Sequence, residues 1–94
     1  MTDPTYRSKR YESAFRRKYG ISYAERDALL AAQGNACGVC RRTDPGSRGW
    51  QLDHCHASRK VRGVLCQFCN TAIGLLRDDP SVARSLADYL ELHR

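Results

Sequence analysis

The stretch Val61-Arg62-Gly63-Val64-Leu65-Cys66-Gln67-Phe68-Cys69-Asn70 is a Val-rich run that ends in a Cys-x-x-Cys knuckle. β-branched residues favour an extended chain, so the run predicts a short strand over 60–65. The pattern after the knuckle predicts a helix from Asn70 to Arg77. Upstream, Trp50-Gln51-Leu52-Asp53 alternates apolar and polar residues, which predicts a strand partner, with residues 55–59 as the turn. Further upstream stands a second knuckle, Cys37-Gly38-Val39-Cys40, followed by a loop over 41–49 that holds Pro45, Gly46 and Gly49.

The two knuckles pair Cys37 and Cys40 with Cys66 and Cys69. Each Cys-x-x-Cys turn offers two thiolates, and two such turns complete a tetrahedral Zn²⁺ shell. A closed four-thiolate shell has no open position for water, so this zinc is expected to be structural. It would tie the helix before Cys37 to the helix after Cys69. Two disulfides or four unrelated thiols are the rival readings. A reducing compartment favours metal over disulfides. Cys55 stands outside the pattern and is read as a small buried filler.

Between the knuckles lies Asp53-His54-Cys55-His56. Strand alternation points Asp53 and Cys55 one way and His54 and His56 the other. A carboxylate is a hard ligand suited to Mg²⁺. Imidazole, whose ordinary pKa is about 6.5, accepts a proton at neutral pH. Asn70 directly follows Cys69, so the zinc knuckle would aim its carboxamide oxygen, a second hard donor. A second zinc site built from His54, Cys55 and His56 is disfavoured, because neighbours in a strand rarely converge on one tetrahedral ion. For His56 alone, a hydrogen bond to backbone stands beside a role at a phosphate.

Toward the N-terminus, Ser22-Tyr23-Ala24-Glu25 is a capping-box pattern that predicts a helix over 23–33, stopped at Gly34. Residues 1–19 form a basic arm or helix, with 20–94 as the zinc-stapled unit. Tyr11, Phe15 and Tyr19 recur at a spacing of four, on one helical face, among basic residues that include Arg7, Arg16, Arg17 and Lys18. Toward the C-terminus, Asp79 is the expected N-cap and Pro80 the first residue of a helix. That helix carries Val82, Ala83, Leu86, Ala87 and Leu90 at helical spacing.

The chain has 94 residues, a net charge of +6 and 41% apolar residues. One small domain of this size needs a staple to hold its core. The basic excess points to a polyanionic partner, with nucleic acid first and a plain basic surface as the bland alternative. No apolar run is long enough for a membrane span. Met1-Thr2-Asp3-Pro4 lacks a signal-peptide core, so the expected compartment is the cytoplasm.

The strings Leu52-Asp53-His54-Cys55-His56 and Val61 to Asn70 together resemble the recombination endonuclease VII family, phage-type members of the HNH or ββα-metal nuclease superfamily. The resemblance covers about residues 19–92, from Tyr19-Gly20 through the four cysteines to Asp78-Asp79-Pro80. It implies an α+β fold: a small zinc-stapled, treble-clef-like ββα-metal core over 50–54, 60–65 and about 68–77, flanked by helices. It also implies a Mg²⁺-dependent DNA endonuclease, with Mn²⁺ able to substitute. Asp53 and Asn70 would hold the Mg²⁺, His54 would be the general base and His56 would act near the phosphate. Arg62, Arg59 and Lys60 in the hairpin, and Arg16, Arg17 and Lys18 upstream, would contact DNA. The family implies a homodimer and either resolution of branched DNA such as Holliday junctions or nicking.

Two departures stand out. Ile73 occupies a position where an acidic residue is expected, and the end at Arg94 leaves little room for a separate junction-binding domain. Two rival readings remain: a non-catalytic zinc-dependent nucleic-acid-binding module and a protein-interaction zinc finger.

Overall fold

Ser22 accepts a hydrogen bond from the Glu25 backbone N–H at 3.1 Å, and the Glu25 carboxylate accepts from the Ser22 N–H at 3.0 Å. This reciprocal cap starts α2, Tyr23–Ala32, in the computed structural model, which describes residues 9–94. The sequence-predicted basic arm continues into residues 1–8, including Arg7, which lie outside the described residues. Before α2 runs α1, Lys9–Tyr19. Phe15 joins the two helices, with its ring 4.8 Å from Tyr19 and 4.5 Å from Tyr23. Tyr11, the third member of the aromatic stripe, stays 53% exposed.

After α2 come β1, Gln51–His54, and β2, Val61–Leu65. They pair antiparallel, with Gln51 opposite Leu65 and Asp53 opposite Gly63. The register slips between Asp53 and His54, where the pairing jumps to Val61. Helix α3, Gln67–Leu75, follows β2 directly, and α4 spans Pro80–Leu92. α3 starts three residues before the sequence-predicted Asn70, because Cys66 is its N-cap and the Cys66 thiol accepts from the Cys69 N–H at 3.4 Å.

The core is small. Among the described residues, Cys37, Val64 and Cys66 are fully buried, joined by Leu65, and Trp50, Cys69 and Ile73 pack against this cluster. Gln33, the C-cap of α2, ties the helix to the sheet: its side chain donates to the Val64 carbonyl at 2.8 Å and accepts from the Val64 N–H at 2.9 Å. Gly38 of the first knuckle also donates to the Val64 carbonyl, at 3.1 Å. Val64 is thus the point where helix, knuckle and strand meet. Gly46, at φ +94°, lies so close to Gln67 that a Cβ would sit 2.6 Å from its Cδ; this seats the 41–50 loop on the start of α3.

Helix α4 differs from the rest. Asp79 caps it through Ser81 N–H at 2.9 Å, as expected. Yet Val82, Leu86 and Leu90 are 41%, 48% and 63% exposed, so among the described residues this apolar face is left largely open. Among the described residues, no helix is long and apolar enough to cross a membrane.

Candidate metal centre and active site

The Sγ atoms of Cys37, Cys40, Cys66 and Cys69 all lie within 4.8 Å of one another, and Cys40 and Cys66 are 3.8 Å apart. Tetrahedral Zn²⁺ with bonds of about 2.3 Å requires sulfur pairs separated by about 3.8 Å. The donor set is soft, its spacing fits, and the four thiols are free. These residues therefore fit a structural Zn²⁺. Their thiols are pulled in opposite directions. Burial works against ionising Cys37, but N–H groups near Cys66, Val39 and Cys40 outweigh it and lower that thiol to about 6. Burial and the neighbouring thiols push Cys69 up to about 12. Several thiolates cannot share this space without a cation among them. Cys55 stands apart, half-buried rather than the expected buried filler, and the Ser58 hydroxyl lowers its thiol.

A cleft of about 240 Å³ is lined by Asp53, His54 and His56 of the hairpin, by Asn70 and Ile73 of α3 and by Asp78 just beyond it, together with Tyr19, Gln51, Leu52 and Gly74. Strand alternation predicts Asp53 and His54 on opposite faces. The register slips between them, and both are among the residues that line the cleft. The His54 and His56 rings meet edge-on at 5.8 Å, and Tyr19 meets His54 at 6.2 Å. A larger hollow of about 440 Å³ beside α2 is lined by Ile21, Ala28, Leu29, Ala32 and Val61 with Glu25, and lacks such a donor set.

Asp53 is 8% exposed. Both its oxygens accept from Arg62, Oδ2 from Nε at 2.7 Å and Oδ1 from Nη2 at 2.9 Å. This bidentate pair raises the Arg62 pKa further, chiefly through Asp53. The guanidinium is a cation seated on both oxygens of Asp53, so positive charge is accommodated at this carboxylate. Arg62 thus lies against the carboxylates of Asp53 and Asp78 in this structure, with its side chain 38% exposed. Arg59 and Lys60 are exposed in the turn, with Arg59 at φ +65°. Arg16, Arg17 and Lys18 are exposed in the last turn of α1, and Lys18 lies 5.2 Å from the Tyr19 ring centre.

Asp78 is the residue that sequence reasoning missed. Oδ2 faces the His56 Nδ1 at 3.2 Å, and Oδ1 accepts from Arg62 Nη2 at 3.3 Å. Burial raises its carboxyl, but Arg62 and the His56 backbone N–H outweigh this and hold it below the usual range. In the sequence Asp78 enters only as part of the Asp78-Asp79-Pro80 string at the start of α4, with no role of its own, and no local pattern says that the chain folds it back onto the hairpin.

A hairpin and helix gathered at four cysteines that could hold a metal ion, with a polar cleft of carboxylates and imidazoles beside them, define a small α+β domain. The chain matches the family described as recombination endonuclease VII over residues 12–92, and it belongs to that family. The "Gene 59 protein" of Mycobacterium phage D29 is 34% identical over 84 residues, covering 88% of this chain and 51% of the phage protein. The "Gene 59 protein" of Mycobacterium phage L5 is 31% identical over the same length, with the same coverage of each chain. The chain thus spans about half the length of these relatives. No solved structure matches it.

Proposed function

We propose that this chain is a Mg²⁺-dependent DNA endonuclease built on a ββα-metal (HNH) core, with β1, β2 and α3 as that unit. The observation that carries the reading is the cleft that gathers Asp53, His54, His56 and Asn70 next to the four-cysteine cluster. Family membership supports a DNA substrate.

Asp53 and Asn70 would hold Mg²⁺, or Mn²⁺ in its place, through hard oxygens. The bound ion would supply charge neutralisation at the scissile phosphate and the departing 3′ oxygen. His54 accepts a proton from the attacking water. His56 contacts the phosphate. Arg59, Lys60, Arg16, Arg17 and Lys18 hold flanking phosphates, and Arg62, released from Asp53, does the same. In this reading residues 1–19 serve as a basic arm and 20–94 as the nuclease unit, acting in the cytoplasm of a phage-infected cell.

The exposed face of Val82, Leu86 and Leu90 supports a homodimer, which would bring one site to each of two DNA strands. Cleavage of a four-way junction and of supercoiled plasmid, with Mg²⁺ and with EDTA, tests the activity and separates branched-DNA resolution from nicking. Mg²⁺-dependent nicking or resolution is expected. Binding of DNA without any cleavage in Mg²⁺ or Mn²⁺ would leave the non-catalytic zinc module as the correct reading.

A further inference from the structure

The Asp78 carboxylate lies five positions beyond Ile73, where an acidic residue is expected and absent, yet it lines the same cleft. It is held there from both sides. Its N–H donates to the Ile73 carbonyl at 3.1 Å, closing the end of α3, and Asp79 beside it caps α4. Asp78 itself sits at φ +58°, a left-handed conformation that Asp tolerates better than most residues. Its side chain is 17% exposed, whereas that of His56 is 65% exposed. His56 lies past the end of β1, where strand pairing no longer fixes its ring.

One oxygen of Asp78 faces two donors on the same residue: the His56 ring at Nδ1, 3.2 Å away, and the His56 backbone N–H, 3.5 Å away. An imidazole whose Nδ1–H is taken by a carboxylate presents a bare Nε2 on its far side, and its tautomer is set by that bond.

We infer that Asp78 is a positioning residue of the cleft: it takes the Nδ1–H of His56 and so turns the His56 Nε2 toward the substrate phosphate. This rests on the nuclease reading for what His56 meets, but not for the Asp78–His56 pair itself. The other Asp78 oxygen accepts from Arg62, so the same carboxylate also anchors the guanidinium on Asp53.

The test is the tautomer of His56, read by long-range ¹H–¹⁵N correlation on the zinc-loaded full chain, alongside plasmid nicking. The wild type is expected to show the Nδ1–H form. In Asp78→Ala the Nε2–H form preferred by free imidazole should take over, zinc content should be unchanged, and nicking should fall about 10- to 100-fold. A merely structural Asp78 would leave the tautomer alone. An Nε2–H form in the wild type overturns the inference without any variant, so a misfolded Asp78→Ala cannot shelter it. An unchanged tautomer in a folded Asp78→Ala also overturns it, as does a shifted tautomer with undiminished nicking. A wild type that never cleaves DNA refutes the nuclease reading instead, and the tautomer still judges the pair.

Discussion

The thiol cluster and the cleft share helix α3 and have opposite character. β2 carries Arg62, the partner of Asp53, near its start and runs into Cys66 of the cluster; α3 begins at the cluster and carries Asn70 and Ile73 to the cleft. At the cluster, Cys37 and Cys66 are fully buried and the donors are soft. At the cleft, the donors are hard, His56 is mostly exposed, and the one deeply buried acid, Asp53, is neutralised by an arginine. A closed thiolate shell holds the fold and admits no substrate, whereas an open polar cleft can admit a phosphate. The direct succession Cys69-Asn70 couples the two: whatever orders the knuckle also orders the first residue that follows it into the cleft.

The largest effect that could break this contrast is at the cluster. Cys66 is fully buried, caps α3, and faces Cys40 at 3.8 Å. Cys66→Ala removes one thiolate, the cap and a core side chain together. The expected outcome is loss of bound zinc and loss of cooperative folding by circular dichroism; strong chelation of the wild type should have the same result. A folded, zinc-free protein would show that the small core stands without a metal, and the division of labour would be wrong.

The next effect belongs to the cleft. His54→Ala is expected to retain zinc, the circular-dichroism spectrum and DNA affinity, while cleavage falls by about 10²- to 10⁴-fold, the usual range for a lost general base. Asp53→Ala should also lose cleavage, but raised Mg²⁺ should restore part of it, because the loss is of ion affinity; it should not rescue His54→Ala. Nicking by His54→Ala at the wild-type rate would move the proton-accepting role to His56.

The sequence carried the cluster more fully than the cleft, for physical reasons. Metal-ligand spacing is local, so Cys37, Cys40, Cys66 and Cys69 are legible as a set before any fold is known, and the capping box at Ser22 and the stop at Gly34 are local too. The cleft depends on events that no short pattern encodes. The slip in register between Asp53 and His54 has no signature in the alternation of the sequence. The turn that ends α3, with Arg77 and Asp78 both at positive φ, swings Asp78 back onto the hairpin. The pairing of Arg62 with Asp53, between residues nine apart, becomes visible only once the strands are in register. Gln33, which holds α2 to Val64, likewise gives no signal beyond its place before Gly34.

The smallest expected effect tests how far the cleft's surroundings extend. Arg16, Arg17 and Lys18 occupy the last turn of α1, and Lys18 lies over the ring of Tyr19, which itself meets His54. Two accounts compete. Basic residues at a helix C-terminus complement the helix dipole and need no partner. The same residues, exposed at the edge of the cleft, can also neutralise DNA phosphates. Replacing all three by glutamine separates the accounts. If they contact phosphate, each contact removed lowers the slope of log affinity against log salt by about 0.9, so the triple variant should lose roughly 1–3 units of slope, depending on how many engage. Cleavage at saturating DNA should stay close to wild type, since none of the three is among the residues assigned to the ion, the water or the phosphate under attack. An unchanged slope with a lower melting temperature would assign them to the helix dipole, and the DNA-facing surface would then have to start at the hairpin turn, with Arg59 and Lys60.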